Sequence, residues 1–178
     1  MNNFKRAFAK KKIKVAQILL TYSDTEDRRK SLNSRETIFE LLKYNIIPVI
    51  NENDTVATDE LKFGDNDRLA ARVSQIVSAD KLFLLSDVDG LYTKNPKIDK
   101  KAKLLVQIND IDEKHIKMAG SYTNIYGTGG MHTKIEAAKI ATGSGCDTII
   151  CNGIKKNPIQ SYLKKKNGTL FLSKVKKE

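Results

Sequence analysis

The chain has 178 residues, 40% of them hydrophobic, which is the usual size of one domain and enough to bury a core without disulfide or metal staples. No stretch approaches the roughly 18 uninterrupted apolar residues of a membrane helix, and the basic opening MNNFKRAFAKKK is not followed by an apolar signal core, so a cytoplasmic protein without membrane partners is expected. The formal charge of +11 comes from lysines scattered along the chain and gathered at both ends, without interleaved aromatics or a recognition motif; this argues against a nucleic-acid partner and leaves attraction for small anions.

Short apolar runs alternate with amphipathic stretches, the pattern of a mainly parallel open sheet covered by helices. Residues 4–11 read as the tail of a helix running straight into a strand at 13–20, IKVAQILL. Asn33 or Ser34 is expected to cap a helix reaching Tyr44, with Ile38, Leu41 and Leu42 on its apolar face. The run IIPVI at 46–50 is the next strand, and Pro48, lacking a ladder donor, places it at an edge or makes the proline a strand-end residue. A polar loop, NENDTVATDELKFGDND, precedes a helix over 67–78 and the strand KLFLL at 81–85.

Residues 88–123 are irregular, with a hairpin or excursion and then a short helix at 113–118. The turn GTGGMHTK opens a helix through Thr142; DTIIC at 147–151 is a central strand, and GTLFL at 168–172 an added edge strand. Cys146 and Cys151 lack the spacing of a zinc site and read as reduced, buried thiols. No internal repeat or low-complexity linker divides the chain.

Three polar clusters fall at expected strand ends, where open α/β sheets collect ligands. The first is Asn51, Glu52, Asn53 and Asp54, with Gly64, Asp65, Asn66 and Asp67 closing the same loop. Such residues serve as turn formers and helix caps, and equally hold an amino-acid substrate. The second is Ser86 and Asp87, leading into Val88, Asp89 and Gly90. The third, Gly127, Thr128, Gly129, Gly130, Met131, His132, Thr133 and Lys134, sets backbone amides at a helix start with a lysine one turn in. That is phosphate-cradling chemistry, although neither the Walker nor the Rossmann order is present.

PVINENDTVAT, FGDND, LLSDVDGLYTKNP and GTGGMHTK, in this order, closely resemble the glutamate 5-kinase branch of the amino-acid kinase family. The likeness runs from about Ile13 to the GTLF at 168–171, nearly the whole chain. It implies a three-layer αβα sandwich and one amino-acid kinase domain over 1–178, the nucleotide-binding portion with part of the glutamate site. The family's opening strand with its Lys-Gly-Ser/Thr turn, its glycine-serine turn and the downstream PUA domain of many relatives are not matched. It further implies Asp54 and Asn66 as glutamate-binding residues and Asp67 as the aspartate that orders the catalytic lysines. Ser86, Asp87 and the loop Thr128, Gly129, Gly130, Met131, His132, Thr133 and Lys134 would hold ATP, with Lys134 against the transferring phosphate. The resemblance brings ATP with Mg2+, L-glutamate as substrate, proline as feedback inhibitor near Glu60, and a homo-oligomer; no metal is expected to be held by protein residues. It also leaves open acetylglutamate kinase and a non-catalytic nucleotide-binding module that pairs with a complementing segment.

His132 is expected to be a loop residue and His115 to lie on a helix surface. A carboxylate acceptor is already ionised at neutral pH, so neither is needed as a base.

Overall fold

The computed structural model describes residues 1–55, 66–120 and 130–175. Among these no helix is long and apolar enough to cross a membrane. The chain divides into two compact units, Met1–Leu69 and Ala70–Glu178.

The first unit contains α1 (Asn2–Ala9), β1 (Lys14–Leu20), α2 (Tyr22–Glu26), α3 (Arg28–Lys43), β2 (Ile46–Glu52) and the first turn of α4 (Asn66–Ile76). β1 and β2 pair in parallel, Lys14 opposite Ile46 through Leu20 opposite Glu52, and the helices between them form the crossover a parallel pair requires. Pro48 sits opposite Ala16 in this two-stranded sheet, so its missing N–H is accommodated at an edge, as expected. Ile38 on α3 is buried, whereas Leu19, Leu32, Phe39 and Leu42 remain exposed.

The start of α3 differs from expectation. Neither Asn33 nor Ser34 caps it; the carboxylate of Asp27 accepts the Lys30 N–H at 2.9 Å, and the helix begins at Arg28. Its first turns carry RRKS, charged and polar, so apolar periodicity has nothing to register there.

The second unit holds the rest of α4, then β3 (Lys81–Ser86), β4 (Gln107–Ile108), α5 (Glu113–Gly120), α6 (Met131–Gly143), β5 (Asp147–Asn152), α7 (Pro158–Lys165) and β6 (Gly168–Phe171). The sheet order is β3-β5-β6-β4. β3–β5 and β4–β6 are parallel and β5–β6 antiparallel, so the sheet is mixed and mainly parallel. β6 is therefore internal, flanked by β5 and β4, and not the edge strand expected. Its GTLF run is buried accordingly, with Gly168, Thr169 and Phe171 all out of solvent.

One face of this sheet packs against α5 and α6 through Leu84, Ile150 and Phe171 on strands and Ala119, Ile135, Ala138 and Ala141 on helices. The small residues of α6 let that helix lie close to the sheet. The opposite face packs Ile149 and Cys151 under Tyr162 of α7, with the Phe83 ring edge-on to Tyr162 at 5.9 Å between centroids. Helix, sheet and helix thus make three layers. Each fully buried aliphatic or aromatic side chain in this core is worth about 1.5–3 kcal/mol of transfer free energy. Both cysteines are free and buried, as expected.

Candidate functional site

The second unit offers a candidate ligand site at the carboxyl edge of its sheet. β3 and β5 run in the same direction, and α6, which leads into β5 through a tight turn, packs back along that sheet. The amino end of α6 therefore lies at the same edge as the end of β3, where ligands of open α/β sheets bind.

At the end of β3, Ser86 Oγ donates to Asp87 Oδ1 at 3.3 Å, and Ser86 O accepts the Gly153 N–H at 2.8 Å. Asn152 Nδ2 donates to Asp87 O at 3.4 Å. The turn is held from below by β6: Leu91 N–H donates to Thr169 Oγ1 at 2.8 Å, and a Cβ on Gly90 would stand 2.4 Å from that same oxygen. Only glycine permits this approach. Two lysines flank the carboxylates, Lys97 Nζ at 3.5 Å from Asp87 and Lys155 Nζ at 2.5 Å from Asp89. Asp89 also accepts from Tyr92 OH at 3.4 Å; burial first, and then the Asp89 charge, push that phenol up from its ordinary value.

Gly130, extended, stands at the N-cap of α6 without a capping side chain. Met131 is buried, and Thr133 Oγ1 turns back to donate to Gly130 O at 2.8 Å. His132 is half exposed, with Nε2 3.2 Å from Glu136 Oε1, and so stands on the first turn of the helix and not in a loop as expected. Lys134 lies one turn in and is partly buried. Thr128 and Gly129 lie outside the described residues.

Asp54, Asn66 and Asp67 fall in the first unit. Asn53 N–H donates to Leu20 O at 2.8 Å, fixing the chain as it leaves β2 beside the end of β1, and Thr55 Oγ1 donates to Asn53 Oδ1 at 2.6 Å. Asp54 is exposed on this turn. Asn66 and Asp67 open α4, where an acidic side chain suits the positive end of the helix dipole. Gly64, Asp65 and Glu60 lie outside the described residues.

A cleft of about 560 Å³, within the range of small-ligand pockets, was not foreseen. Thr93, Asn95 and Ile98 of the loop after β3 form one wall, and Lys114, Lys117 and Met118 of α5 the other. Lys94 closes the loop on Asp99 at 2.9 Å. The usable signals were the i,i+3 pair Lys114 and Lys117 on one helix face and the Asn-Pro turn at 95–96. His115, expected on a helix surface, is largely covered instead, with Nδ1 2.6 Å from Asp112 Oδ1 and only 18% of its side chain exposed.

The sequence profile of the amino acid kinase family matches residues 1–152. The chain belongs to that family. It is 54% identical over 177 residues to the glutamate 5-kinase of Pelagibacter ubique, covering 99% of this chain and 48% of that protein. The glutamate 5-kinase of Agrobacterium fabrum is also 54% identical, over 155 residues, 87% of this chain and 40% of that one. The chain thus spans about half the length, or less, of these relatives. Solved kinases share the fold at low identity. UMP kinase from Ureaplasma parvum superposes with a TM-score of 0.65 at 14% identity, covering 96% of this chain and 65% of that one. An isopentenyl phosphate kinase gives 0.65 at 19%, covering 96% and 64%. The amino acid kinase fold expected from the sequence is the fold observed.

Proposed function

We propose that this amino acid kinase chain carries the ATP-dependent phosphorylation of the L-glutamate side-chain carboxylate, giving glutamyl 5-phosphate, the opening step of proline synthesis. The observation that carries the reading is 54% identity over 99% of the chain to a glutamate 5-kinase. In this reading the NEND and GDND loops are its glutamate-side counterpart, in preference to acetylglutamate kinase.

In this reading Asp54 and Asn66 hold glutamate and Asp67 orders the lysines around the phosphates. Ser86, Asp87 and the loop from Thr128 through Thr133 receive the nucleotide, and Lys134 meets the transferring phosphate. The cleft between the loop after β3 and α5 takes the base end of ATP, with apolar Ile98 and Met118 for the ring and Lys114 and Lys117 nearby. The acceptor carboxylate is ionised at neutral pH, so the protein supplies position and positive charge and needs no general base. Among the described residues no three His, Cys, Asp or Glu side chains converge as a metal cage. The donor set suits magnesium carried on the phosphates, which asks for one or two carboxylates at most; the ion there would neutralise charge on the transferring group. Proline as feedback inhibitor, a homo-oligomeric assembly and a cytoplasmic location belong to the same proposal.

The test is hydroxamate formation from glutamate, hydroxylamine and MgATP, with the wild type and Lys134→Ala, and with N-acetylglutamate as a competing acceptor. Turnover of glutamate that falls about a hundredfold in Lys134→Ala is expected. Absence of turnover together with absence of MgATP binding would overturn the proposal.

A further inference from the structure

The turn after β3 carries two carboxylates, Asp87 and Asp89, at the edge where the proposed function places a polyphosphate. Left alone, that pair would repel an anionic ligand and each other. The fold supplies two lysines from elsewhere in the chain: Lys97 stands 3.5 Å from Asp87, and Lys155 reaches across from the segment between β5 and α7 to within 2.5 Å of Asp89. The segment bearing Lys155 is itself pinned to the turn. Gly153 N–H donates to Ser86 O, Asn152 Nδ2 to Asp87 O, and Asn152 Oδ1 accepts the Ile154 N–H at 3.0 Å. A Cβ on Gly153 would stand 2.8 Å from Leu85 Cβ, so the two backbones meet as closely as glycine allows.

We propose that Lys155 is a positioning residue of the nucleotide site: by clamping Asp89 it joins the loop after β5 to the Ser86–Gly90 turn, fixes that turn, and removes a negative charge from the path of the phosphates. The proposal rests on the reading of Ser86 and Asp87 as nucleotide contacts. Asp89 keeps 27% of its side chain exposed and Lys155 52%, so the pair is partly screened and its effect on affinity is moderate. Its geometric role is distinct from simple surface charge. The adjacent Lys156, exposed on the same segment, contributes the same formal charge. It therefore serves as a matched control.

The experiment is calorimetric titration of MgATP into the wild type, Lys155→Met, Lys155→Arg and Lys156→Met. Lys155→Met is expected to weaken binding about fivefold, Lys156→Met less than about twofold, and Lys155→Arg to recover most of the loss. A second readout needs no nucleotide. The tyrosinate absorbance step of Tyr92, isolated by comparison with Tyr92→Phe, should move to higher pH in Lys155→Met and stay in place in Lys156→Met, because Lys155 opposes the Asp89 charge at that phenol. Equal MgATP affinities for Lys155→Met and Lys156→Met, with the wild type binding, would overturn the positioning role alone. No MgATP binding by the wild type would overturn the kinase reading and this role with it, and the Tyr92 step would then report only whether the clamp forms.

Discussion

Gly90 lies so close to Thr169 that an added Cβ would stand 2.4 Å from Thr169 Oγ1, the oxygen that accepts the Leu91 N–H at 2.8 Å. One threonine on a buried strand, 78 residues from Leu91 in sequence, thus fixes the turn that carries Asp87 and Asp89. Gly90→Ala should push the turn off β6 and cost about 1–3 kcal/mol, as overpacking of a close-packed contact does. Thr169→Val should cost a similar 1–3 kcal/mol by leaving the Leu91 N–H buried without a partner. Urea denaturation measures both. If the two changes are combined, the loss should be smaller than the sum, since they strike one contact. Strict additivity would mean that the glycine and the threonine act separately.

The strands and long helices were legible because their periodicity is local. KLFLL and DTIIC are short apolar runs, and the α6 stretch places Met131, Ile135 and Ala138 on one face. Strand order was not legible. Nothing in GTLF says whether its neighbours number one or two, and β6 proved internal because β4, only two residues long, pairs along its outer side. α7 was missed although Asn157-Pro158 is a start signal, Pro at the first helical position costing no hydrogen bond. Its apolar set is small, Ile159, Tyr162 and Leu163, and its end at Lys166 has a positive φ of 54° without the usual glycine. Candidate site residues inside one motif, such as Ser86 with Asp87, could be proposed from sequence. Lys155 could not, because its partner Asp89 is 66 residues away and no local pattern links a lysine to a distant carboxylate.

The amino end of α3 supplies a cleaner local test. The Asp27 carboxylate accepts the Lys30 N–H at 2.9 Å, and Asp27 is the residue at which α2 ends and α3 begins. Asp27→Ala should remove about 1 kcal/mol, and Asp27→Asn should recover most of it, since the amide oxygen caps as well as a carboxylate. Circular dichroism through thermal unfolding reads the effect. Equal stability of the Ala and Asn variants would show that α3 is held by Ile38 packing and not by its cap.

Alkaline pH should destabilise the second unit through three groups. Burial raises the Cys151 thiol above its ordinary 9.0 and the Tyr162 phenol above its ordinary 10.0, and burial with Asp89 does the same for Tyr92. Each folded pKa is above the unfolded one, so the folded state holds these protons more tightly. Their contribution is fully present below the unfolded values and lost as pH rises through the folded ones. Stability should hold level as far as these groups are concerned up to about pH 9, then fall steadily. Tyr162→Phe should flatten the fall above pH 10, with thermal midpoints taken from pH 8 to pH 11 as the check. An unchanged slope in that variant would remove Tyr162 from the explanation.

The glutamate side of the proposed reaction is testable apart from the nucleotide side. Asp54 stands exposed on the turn after β2, whose backbone is fixed by Asn53 N–H donating to Leu20 O, so replacing its side chain leaves the local fold in place. A carboxylate in that position answers the ammonium of an amino acid, and a charge-assisted hydrogen bond of this kind is worth about 1.5–3 kcal/mol. Asp54→Ala should therefore raise KM for glutamate by about tenfold to a hundredfold, with MgATP affinity within about twofold of the wild type because the proposed role of Asp54 is confined to the amino-acid substrate. Asn66→Ala should act in the same direction more weakly, an amide making neutral hydrogen bonds. Steady-state kinetics with glutamate varied at saturating MgATP separates the two effects. A loss of MgATP binding in Asp54→Ala with an unchanged KM for glutamate would move Asp54 out of the amino-acid site.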